Sequence, residues 1–338
     1  MGLRVDIGLF AHNEAAGIAA MLSGLAGQDI FADAGISVRV LVLANGCSDD
    51  TVAIARMQSR PPVEVFDLAA GGKSRTWNRF VHDLARADAD LLVFMDADIA
   101  FSTPDTLRSL AQQLQDRPYL WVINSQPIKD IIARPQGLSA MDKMIAAASG
   151  GLGDWKTAIC GQLYAMPAAR ARAFHLPVGL PVEDGFLRAM VLTDILTRAE
   201  DFSRIDGAVG VAHIFASERS IAALIKHQTR IVIGSAINAA CFADLRVLPP
   251  DRRRAELTAA AQQDEWLAAV IRRRLPDCPS GYVPVHFLVK RLAVLVANPR
   301  QLLRPKQVMV ALAGFGFDAI VYCRAQLAMR RGTGAGHW

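Results

Sequence analysis

The sequence lacks the features that mark small secreted domains and integral membrane proteins. Its 5 cysteines are an odd number and include no C-x-x-C pair, which excludes a disulfide scaffold and a zinc site. It has no run of about 18 uncharged apolar residues, the length that a confident transmembrane helix requires. Residues 1–10 lack a basic segment followed by a long apolar stretch, so we expect a cytoplasmic protein rather than a secreted one.

Two widespread phosphate-binding signatures are missing as well. Around Lys73 the G-x-x-x-x-G-K-[ST] spacing of a P-loop is absent, because alanines precede the two glycines. No G-x-G-x-x-G fingerprint follows the first predicted strand. P-loop nucleoside triphosphatases and NAD-dependent enzymes are therefore excluded as function classes.

The composition is that of a large and rather apolar globular protein. Apolar residues make up 52% and charged residues 20% of the 338 residues, which excludes a disordered chain and a charged coiled coil. The length suits two average domains or one large α/β domain with an appendage. A mean hydropathy of +0.24 is high for a freely soluble enzyme, and without a long apolar run it favours a protein of the membrane surface.

The basic residues are concentrated in the last third of the chain. Residues 1–240 carry 22 Lys and Arg against 25 Asp and Glu, whereas residues 241–338 carry 15 against 7. The net charge is therefore −3 before residue 240 and +8 after it, which indicates either an anionic lipid surface as partner or a solvated basic face. Nucleic acid is not expected, because the basic region lacks zinc-ligand spacing, a helix-turn-helix signature and aromatic residues interleaved with arginine.

Strands and helices alternate over the first ~115 residues, which predicts an α/β fold with a mostly parallel sheet. In such sheets ligands bind beyond the carboxyl ends of the strands. The four predicted strands all end in polar or glycine-rich loops. The strands are Val5–Phe10, Val38–Leu43, Val63–Phe66 and Leu91–Met95, and the loops that follow begin near Asn13, Asn45, Gly71 and Asp96.

Asp96 and Asp98 follow the most apolar of these strands. One residue separates them in an extended segment, so both carboxylates face the same side, ~6–7 Å apart. Such oxygen ligands suit Mg²⁺ or Mn²⁺ held jointly with substrate phosphates. A pair of solvated aspartates in a turn is the alternative, since D-x-D alone is a weak signal.

Gly71-Gly72-Lys73 opens a predicted helix. Backbone N–H groups at a helix start, together with the Lys73 ammonium, form a cradle for a diphosphate. A plain glycine-capped helix start is the alternative interpretation.

These motifs, in their order and spacing, resemble those of the inverting family 2 glycosyltransferases with the GT-A fold. The matching segments are Ala11-His12-Asn13-Glu14, Asn45-Gly46-Cys47-Ser48-Asp49-Asp50-Thr51, Gly72-Lys73-Ser74-Arg75 and Asp96-Ala97-Asp98. Further matches are Gly161-Gln162, Glu183-Asp184 and His227-Gln228-Thr229-Arg230-Ile231, the last a degenerate form of Q-x-x-R-W. The resemblance covers about residues 4–240 and implies a GT-A domain over residues 1–240.

The resemblance implies a nucleotide diphosphate sugar donor, UDP-linked, and an Mg²⁺ or Mn²⁺ cofactor. The uridine would contact Ala11, Asn13, Glu14 and Asn45, with Lys73 on the diphosphate and Asp96 toward the ribose. Asp98 would bind the metal together with Asp96. His213 would be a further metal ligand, although a lone histidine in an apolar run is more often a core residue.

On the acceptor side, the resemblance implies Asp184 as the catalytic base, with Glu183 as its alternative. Gly161, Gln162 and Trp155 would contact the acceptor. The diphosphate clamp would consist of Arg230, His227 and Gln228.

Two positions depart from the family pattern. Asn45 stands where the family usually has Asp, at a position that contacts the nucleotide base, so the identity of that nucleotide base stays open. His227 and Ile231 replace the Gln and Trp of the processive enzymes, which favours transfer of one or few sugars over polymer synthesis.

No family resemblance is recognised for residues 241–338. The apolar stretches Val283–Val296 and Val308–Val321 are ~14 residues each, or ~21 Å as helices, too short for a ~30 Å hydrocarbon core. They suit in-plane helices of an anionic membrane surface or core helices that cover the catalytic domain. A short tilted span near Gln307–Met329 would have to bury Asp318.

We therefore predict a peripheral enzyme of the inner membrane face with a lipid or lipid-linked glycan acceptor. A sugar nucleotidyltransferase is the alternative enzyme, but it needs a glycine-rich loop directly after the first strand. A membrane-associated binding module without activity is the alternative from another class.

Overall fold

The computed structural model describes residues 2–58, 60–139, 142–143, 154–274, 281–297 and 305–332. Eight strands within these residues form one sheet with the order β3-β2-β1-β4-β7-β6-β8-β5. Pairing is parallel from β3 to β4, and β7 lies antiparallel between β4 and β6. The strands are β1 Leu3–Ala11, β2 Ile36–Asn45, β3 Val63–Leu68, β4 Leu91–Asp96, β5 Ile99–Phe101, β6 Val122–Lys129, β7 Leu163–Pro167 and β8 Ile205–Phe215.

Helices connect and cover the strands, as the alternating sequence predicts. The described α-helices are α1 Ile18–Ala26, α2 Thr51–Met57, α3 Lys73–Asn78, α4 Thr106–Gln115, α5 Asp130–Ala133, α6 Ala168–Ala171, α7 Glu183–Thr193, α8 Ile221–Val247, α9 Pro250–Ala260, α10 Asp264–Arg274, α11 His286–Ala297 and α12 Pro305–Arg330. A π-helical turn over Arg79–Leu84 continues α3. The predicted α/β architecture is confirmed.

Alternate residues of the central strand β1 enter two separate cores, one on each face of the sheet. Ile7 and Leu9 pack into one core and Phe10 into the other, and all three side chains are buried. A Cβ on Gly8 would lie 2.9 Å from the Phe80 ring, so the close approach of the helical layer requires glycine there. Burial on both faces fixes the register of β1, because a slip by one residue would exchange its two faces.

The registers of β1, β2 and β4 align the three strand ends. Ala11 pairs with Ala44, and Phe10 pairs with Asp96. On the antiparallel side, Met95 pairs with Leu163, and the Asp96 N–H donates to the Gln162 carbonyl at 2.9 Å. The loops that follow the parallel strands and the segment that precedes β7 therefore meet at one edge of the sheet.

The C-terminal region continues directly from the sheet domain through a long helix. Helix α8 passes without a break through residue 240. The last apolar stretch lies within a longer helix, because α12 runs for 26 residues and continues through polar positions such as Gln326. By length and composition alone, Val308–Arg330 could cross a membrane, with 23 residues and a mean hydropathy of 1.6.

Helices α11 and α12 pack against each other as a hairpin. The Gln326 side chain bonds the turn before α11, accepting from Tyr282 N at 2.9 Å and donating to the Val283 carbonyl at 3.0 Å. Halfway along the hairpin, Asp318 is buried and accepts from Arg291 Nε at 2.8 Å. A Cβ on Gly314 would lie 2.6 Å from Arg291 Cδ, so glycine opens the path of that side chain toward Asp318.

Candidate active site

The loops after β1 and β2 are bonded to each other at the strand ends. The Nδ1 atom of His12 lies 2.6 Å from the Asn45 carbonyl oxygen. Asn13 has a φ of 55°, a left-handed conformation that asparagine tolerates, and its Oδ1 accepts from Ser48 N at 2.8 Å. The Glu14 N–H donates to Thr51 Oγ1 at 2.7 Å. These bonds hold Asn13 and Glu14, both predicted donor contacts, beside Asn45.

Asn45 itself is 1% exposed, and its Oδ1 has no hydrogen-bond partner among the described residues. The following turn depends on Gly46, which has a φ of 58° and whose Cβ would lie 3.0 Å from Gly71 Cα. The β2 and β3 loops thus approach more closely than other residues would allow. Ala11, the remaining predicted contact, is buried at the end of β1.

The carboxylates of Glu14, Asp49 and Asp98 lie close enough to interact electrostatically. Burial, followed by the charges of Asp98 and Asp49, raises the pKa of Glu14. Asp98 is exposed, as a ligand that shares a cation with a substrate would be. Within the described ranges, no three His, Cys, Asp or Glu side chains gather into a complete metal site. A metal at Asp98 would therefore draw part of its coordination from substrate oxygens or water, which is usual for Mg²⁺.

Lys73 lies at the centre of the site. Its Nζ is 2.7 Å from both Asp96 oxygens, 3.0 Å from the Gly161 carbonyl oxygen and 3.5 Å from Glu183 Oε1. The Lys73 and Glu183 side chains are each 13% exposed. Burial lowers the pKa of Lys73, but the neighbouring carboxylates outweigh it and raise the pKa above its ordinary value, so the ammonium stays charged.

The two half-buried aspartates of the site both have raised pKa values, and the Lys73 ammonium opposes both shifts. Burial raises the pKa of Asp96 to about 7, although Lys73 opposes the shift. Burial and the charge of Glu183 raise the pKa of Asp184 to about 6, against the effect of Lys73. A carboxylate with a pKa near 6 is mostly ionised at neutral pH and is still basic enough to accept a proton from a hydroxyl.

Gly161 faces the Asp184 carboxylate. A Cβ at Gly161 would lie 3.3 Å from both Asp184 Cβ and Oδ2, tighter than an ordinary contact. The Asp184 Oδ1 accepts from the Gly185 N–H at 2.7 Å in the first turn of α7. The helix start therefore stabilises the carboxylate charge and holds Asp184 against the segment before β7.

His213 is fully buried on β8 between two polar side chains. Its Nδ1 lies 3.0 Å from Ser125 Oγ, and its Nε2 lies 3.2 Å from Gln162 Oε1. Because Gln162 Oε1 can only accept, this bond requires the proton on Nε2. Burial lowers the pKa of His213 to about 4, so the ring is neutral at pH 7 and holds Gln162.

The class of enzyme follows from similarity to a known family. The profile of Glycosyl transferase family 2 matches residues 6–142. Residues 6–142 therefore have the sequence pattern of the family 2 glycosyltransferases. This result confirms the predicted enzyme class, and among curated proteins no sequence matches the chain.

Three solved structures are similar to this chain. The mannosyltransferase PcManGT from Pyrobaculum calidifontis, in complex with GDP-Man and Mn²⁺, is 15% identical with a TM-score of 0.52, over 96% of this chain and 87% of that one. A glucosyl-3-phosphoglycerate synthase from Mycobacterium tuberculosis is 20% identical with a TM-score of 0.48, over 71% and 80%. Mannosyl-3-phosphoglycerate synthase from Rubrobacter xylanophilus is 14% identical with a TM-score of 0.47, over 69% and 73%. The PcManGT likeness confirms the GT-A fold.

The predicted clamp of the glycosyltransferase lies on α8. His227 Nδ1 is 3.1 Å from Glu218 Oε1, so this ring is paired with the segment before α8. Arg230 lies close enough to Asp184 for its charge to lower the pKa of that carboxyl. Gln228 is half-buried on the same helix.

Trp155, a predicted acceptor contact, packs on β8, where a Cβ on Gly207 would lie 2.2 Å from the Trp155 ring.

The stack of aromatic side chains that packs next to Lys73 was not predicted from the sequence. Trp77 is stacked on Phe94 with 5.5 Å between ring centroids, and Phe94 is stacked on Tyr164 at 4.6 Å. The Trp77 indole N–H donates to Tyr164 Oη at 2.9 Å. Trp77 is four residues after Lys73, so the i, i+4 spacing places both on one face of α3. That spacing was the signal available in the sequence.

Proposed function

We propose that this glycosyltransferase is a metal-dependent inverting enzyme, which moves one sugar from a UDP-linked donor to a hydroxyl of a lipid or lipid-linked glycan. The observation that carries the proposal is the placement of the Asp184 carboxylate opposite Gly161, next to the cluster that includes Asp96. Direct displacement with inversion needs one base on the acceptor side, where it takes the hydroxyl proton as the new bond forms. Asp184 supplies that base, with Glu183 as the alternative.

The donor would lie over the loops that follow β1 and β2. The buried Asn45 side chain offers an amide that both donates and accepts at the edge of a nucleotide base. The exposed Asp98 carboxylate, close to Glu14, supplies the hard oxygen ligand that Mg²⁺ or Mn²⁺ prefers. When bound there, the cation would neutralise charge on the departing diphosphate. His213 would join it only after Gln162 releases Nε2.

The first test is a thermal-shift screen of nucleotide binding. UDP, GDP, UDP-glucose, UDP-N-acetylglucosamine and GDP-mannose are each added at saturation with and without Mn²⁺. We expect at least one uridine compound to raise the melting temperature by a few degrees in the presence of Mn²⁺. Asp98→Asn should lose most of the Mn²⁺-dependent part of that shift.

Asp116→Asn is the matched control for the screen. Asp116 is an exposed residue at the end of α4, so its variant should keep the full shift. A wild-type protein that shows no Mn²⁺-dependent shift with any of the five compounds would contradict the proposed function. A full shift in the Asp98 variant would contradict the metal site alone.

The proposal of a lipid or lipid-linked acceptor rests on the α11–α12 hairpin. In the second half of α12, Val321, Ala325 and Met329 join the main core. In the first half, Met309 is 71% and Val310 63% exposed. Val294 and Val296 near the end of α11 and Leu312 near the start of α12 are also exposed, and we call these five exposed apolar residues the hairpin tip. With the net charge of +8 in residues 241–338, this hairpin tip suits the surface of an anionic membrane on the cytoplasmic side.

Vesicle co-sedimentation tests the membrane part of the proposal. We expect the protein to pellet with phosphatidylcholine vesicles that contain phosphatidylserine, and to pellet less as salt screens the basic charges. The double variant Met309→Asp with Val310→Asp should lose most of this binding. The control is Val209→Asp, at a residue of β8 that is 77% exposed. Equal pelleting of all three proteins would exclude the hairpin tip as the docking element.

A further inference from the structure

The Lys73 ammonium joins three elements that carry different parts of the site. Asp96 ends β4 on the donor side, Gly161 belongs to the segment before β7, and Glu183 begins α7 next to the proposed base. An ammonium group has three N–H donors. Asp96, the Gly161 carbonyl and Glu183 place oxygen atoms 2.7, 3.0 and 3.5 Å from Nζ, so each of the three elements offers an acceptor to this ammonium. This arrangement differs from the expectation that Lys73 holds the donor diphosphate.

The position of Lys73 is itself fixed by the fold. Gly72 precedes α3 with a φ of 119°, a conformation that glycine readily adopts. Ser74 is buried, and its Oγ accepts from the Gly179 N–H at 3.2 Å. One turn further, Trp77 is held in the aromatic stack with Phe94. The backbone that carries Lys73 is thus anchored before and after it, and the ammonium is held by its contacts with Asp96, Gly161 and Glu183.

We propose that Lys73 is a positioning residue, which ties the end of β4, the Gly161 carbonyl and the start of α7 into one unit. This unit sets the distance between the bound donor and the base on α7. The inference rests on the proposed function, and it changes the role of Lys73 from a ligand of the diphosphate to an internal counter-ion. Reacting groups must be placed to within about 1 Å for full rate, so loss of this link should reduce the rate rather than the donor affinity.

The test compares Lys73→Met and Lys73→Arg with the wild-type protein in two measurements. The first is the affinity for UDP and for GDP with Mn²⁺ by calorimetry. The second is the hydrolysis rate of the nucleotide sugar that gives the largest shift in the screen above. We expect K73M to be about 100-fold slower with less than about a threefold change in affinity. K73R keeps the charge and should recover at least about tenfold of the rate.

Two further variants keep the test decisive. K73M leaves Asp96 and Glu183 without their cation, so a loss of folding is one outcome. Glu183→Gln then removes one of the three links and is expected to slow hydrolysis about tenfold at unchanged UDP affinity. Arg79→Met is the matched control, because Arg79 forms an exposed ion pair with Asp83 on the following turn and should leave both measurements unchanged.

The outcomes separate the two roles of Lys73. If K73M, or K73R where K73M does not fold, loses UDP affinity by about 30-fold or more, the side chain binds the diphosphate and the positioning role is overturned. An unchanged hydrolysis rate in both Lys73 variants overturns it as well. Absence of UDP and GDP binding by the wild-type protein would overturn the proposed function together with this inference.

Discussion

Asp184→Asn is expected to reduce the reaction rate about 10³-fold while the affinity for UDP with Mn²⁺ stays unchanged. The amide has nearly the shape of the carboxylate and can still accept from the Gly185 N–H, but it cannot take a proton from the acceptor hydroxyl. The rate of donor turnover and the calorimetric UDP affinity, measured on the same preparations, test this expectation.

The pH profile gives a second signature of the same residue. Burial and the charge of Glu183 raise the pKa of Asp184 to about 6, and a general base works only when it is ionised. In the wild-type protein, kcat/KM should therefore rise with pH and level off above about pH 6 to 7. The D184N variant should lack this acid limb. A limb that persists in D184N would assign it to another group.

The matched control for this variant is at the other end of the same helix. Asp194 follows α7 with a φ of 49°, and asparagine adopts that conformation well. Asp194→Asn therefore removes a carboxylate from α7 without strain or contact with the site. If D184N retains the wild-type rate, or if D194N loses as much rate as D184N, Asp184 is not the base.

The strand ends of the site were predictable from the sequence, and the reason is topological. Apolar runs such as Leu91–Met95 fix where a buried strand ends, and parallel strands bring their carboxyl ends to one edge. Once β1 and β4 are paired, Asn13, Asp96 and Asp98 can only lie there. Position in the sheet thus follows from local pattern and one rule of chain topology.

The partners of the charged groups could not be predicted in the same way. Lys73 and Glu183 are far apart in sequence, and their 3.5 Å contact depends on how α3 and α7 pack. The same holds for Asp318, which sequence analysis could only describe as a charge in an apolar stretch. Its pairing with Arg291 depends on the space above Gly314, a packing detail that periodicity does not encode.

Helix α8 positions the proposed base through contacts with Val182, which directly precedes Glu183 and Asp184. A Cβ on Gly234 would lie 2.3 Å from Val182 Cγ2 and 3.2 Å from Val182 N, so both the side chain and the backbone would have to move. One turn further along α8, Asn238 Nδ2 donates to the Val182 carbonyl oxygen at 2.9 Å. Helix α8 therefore holds Val182 at two points, directly before Glu183 and Asp184.

Gly234→Ala should accordingly displace the start of α7 and slow the reaction about 100-fold, the cost of a misplacement near 1 Å. UDP affinity should change little, because the loops after β1 and β2 do not depend on Val182.

The control is Gly316→Ala on α12, where a Cβ meets nothing within 4 Å and helix propensity favours alanine by about 1 kcal/mol. A folded G234A variant with full rate would show that α7 tolerates the shift. Equal losses of rate and of UDP affinity would instead indicate that the whole site is distorted, and the two kinetic constants distinguish these outcomes.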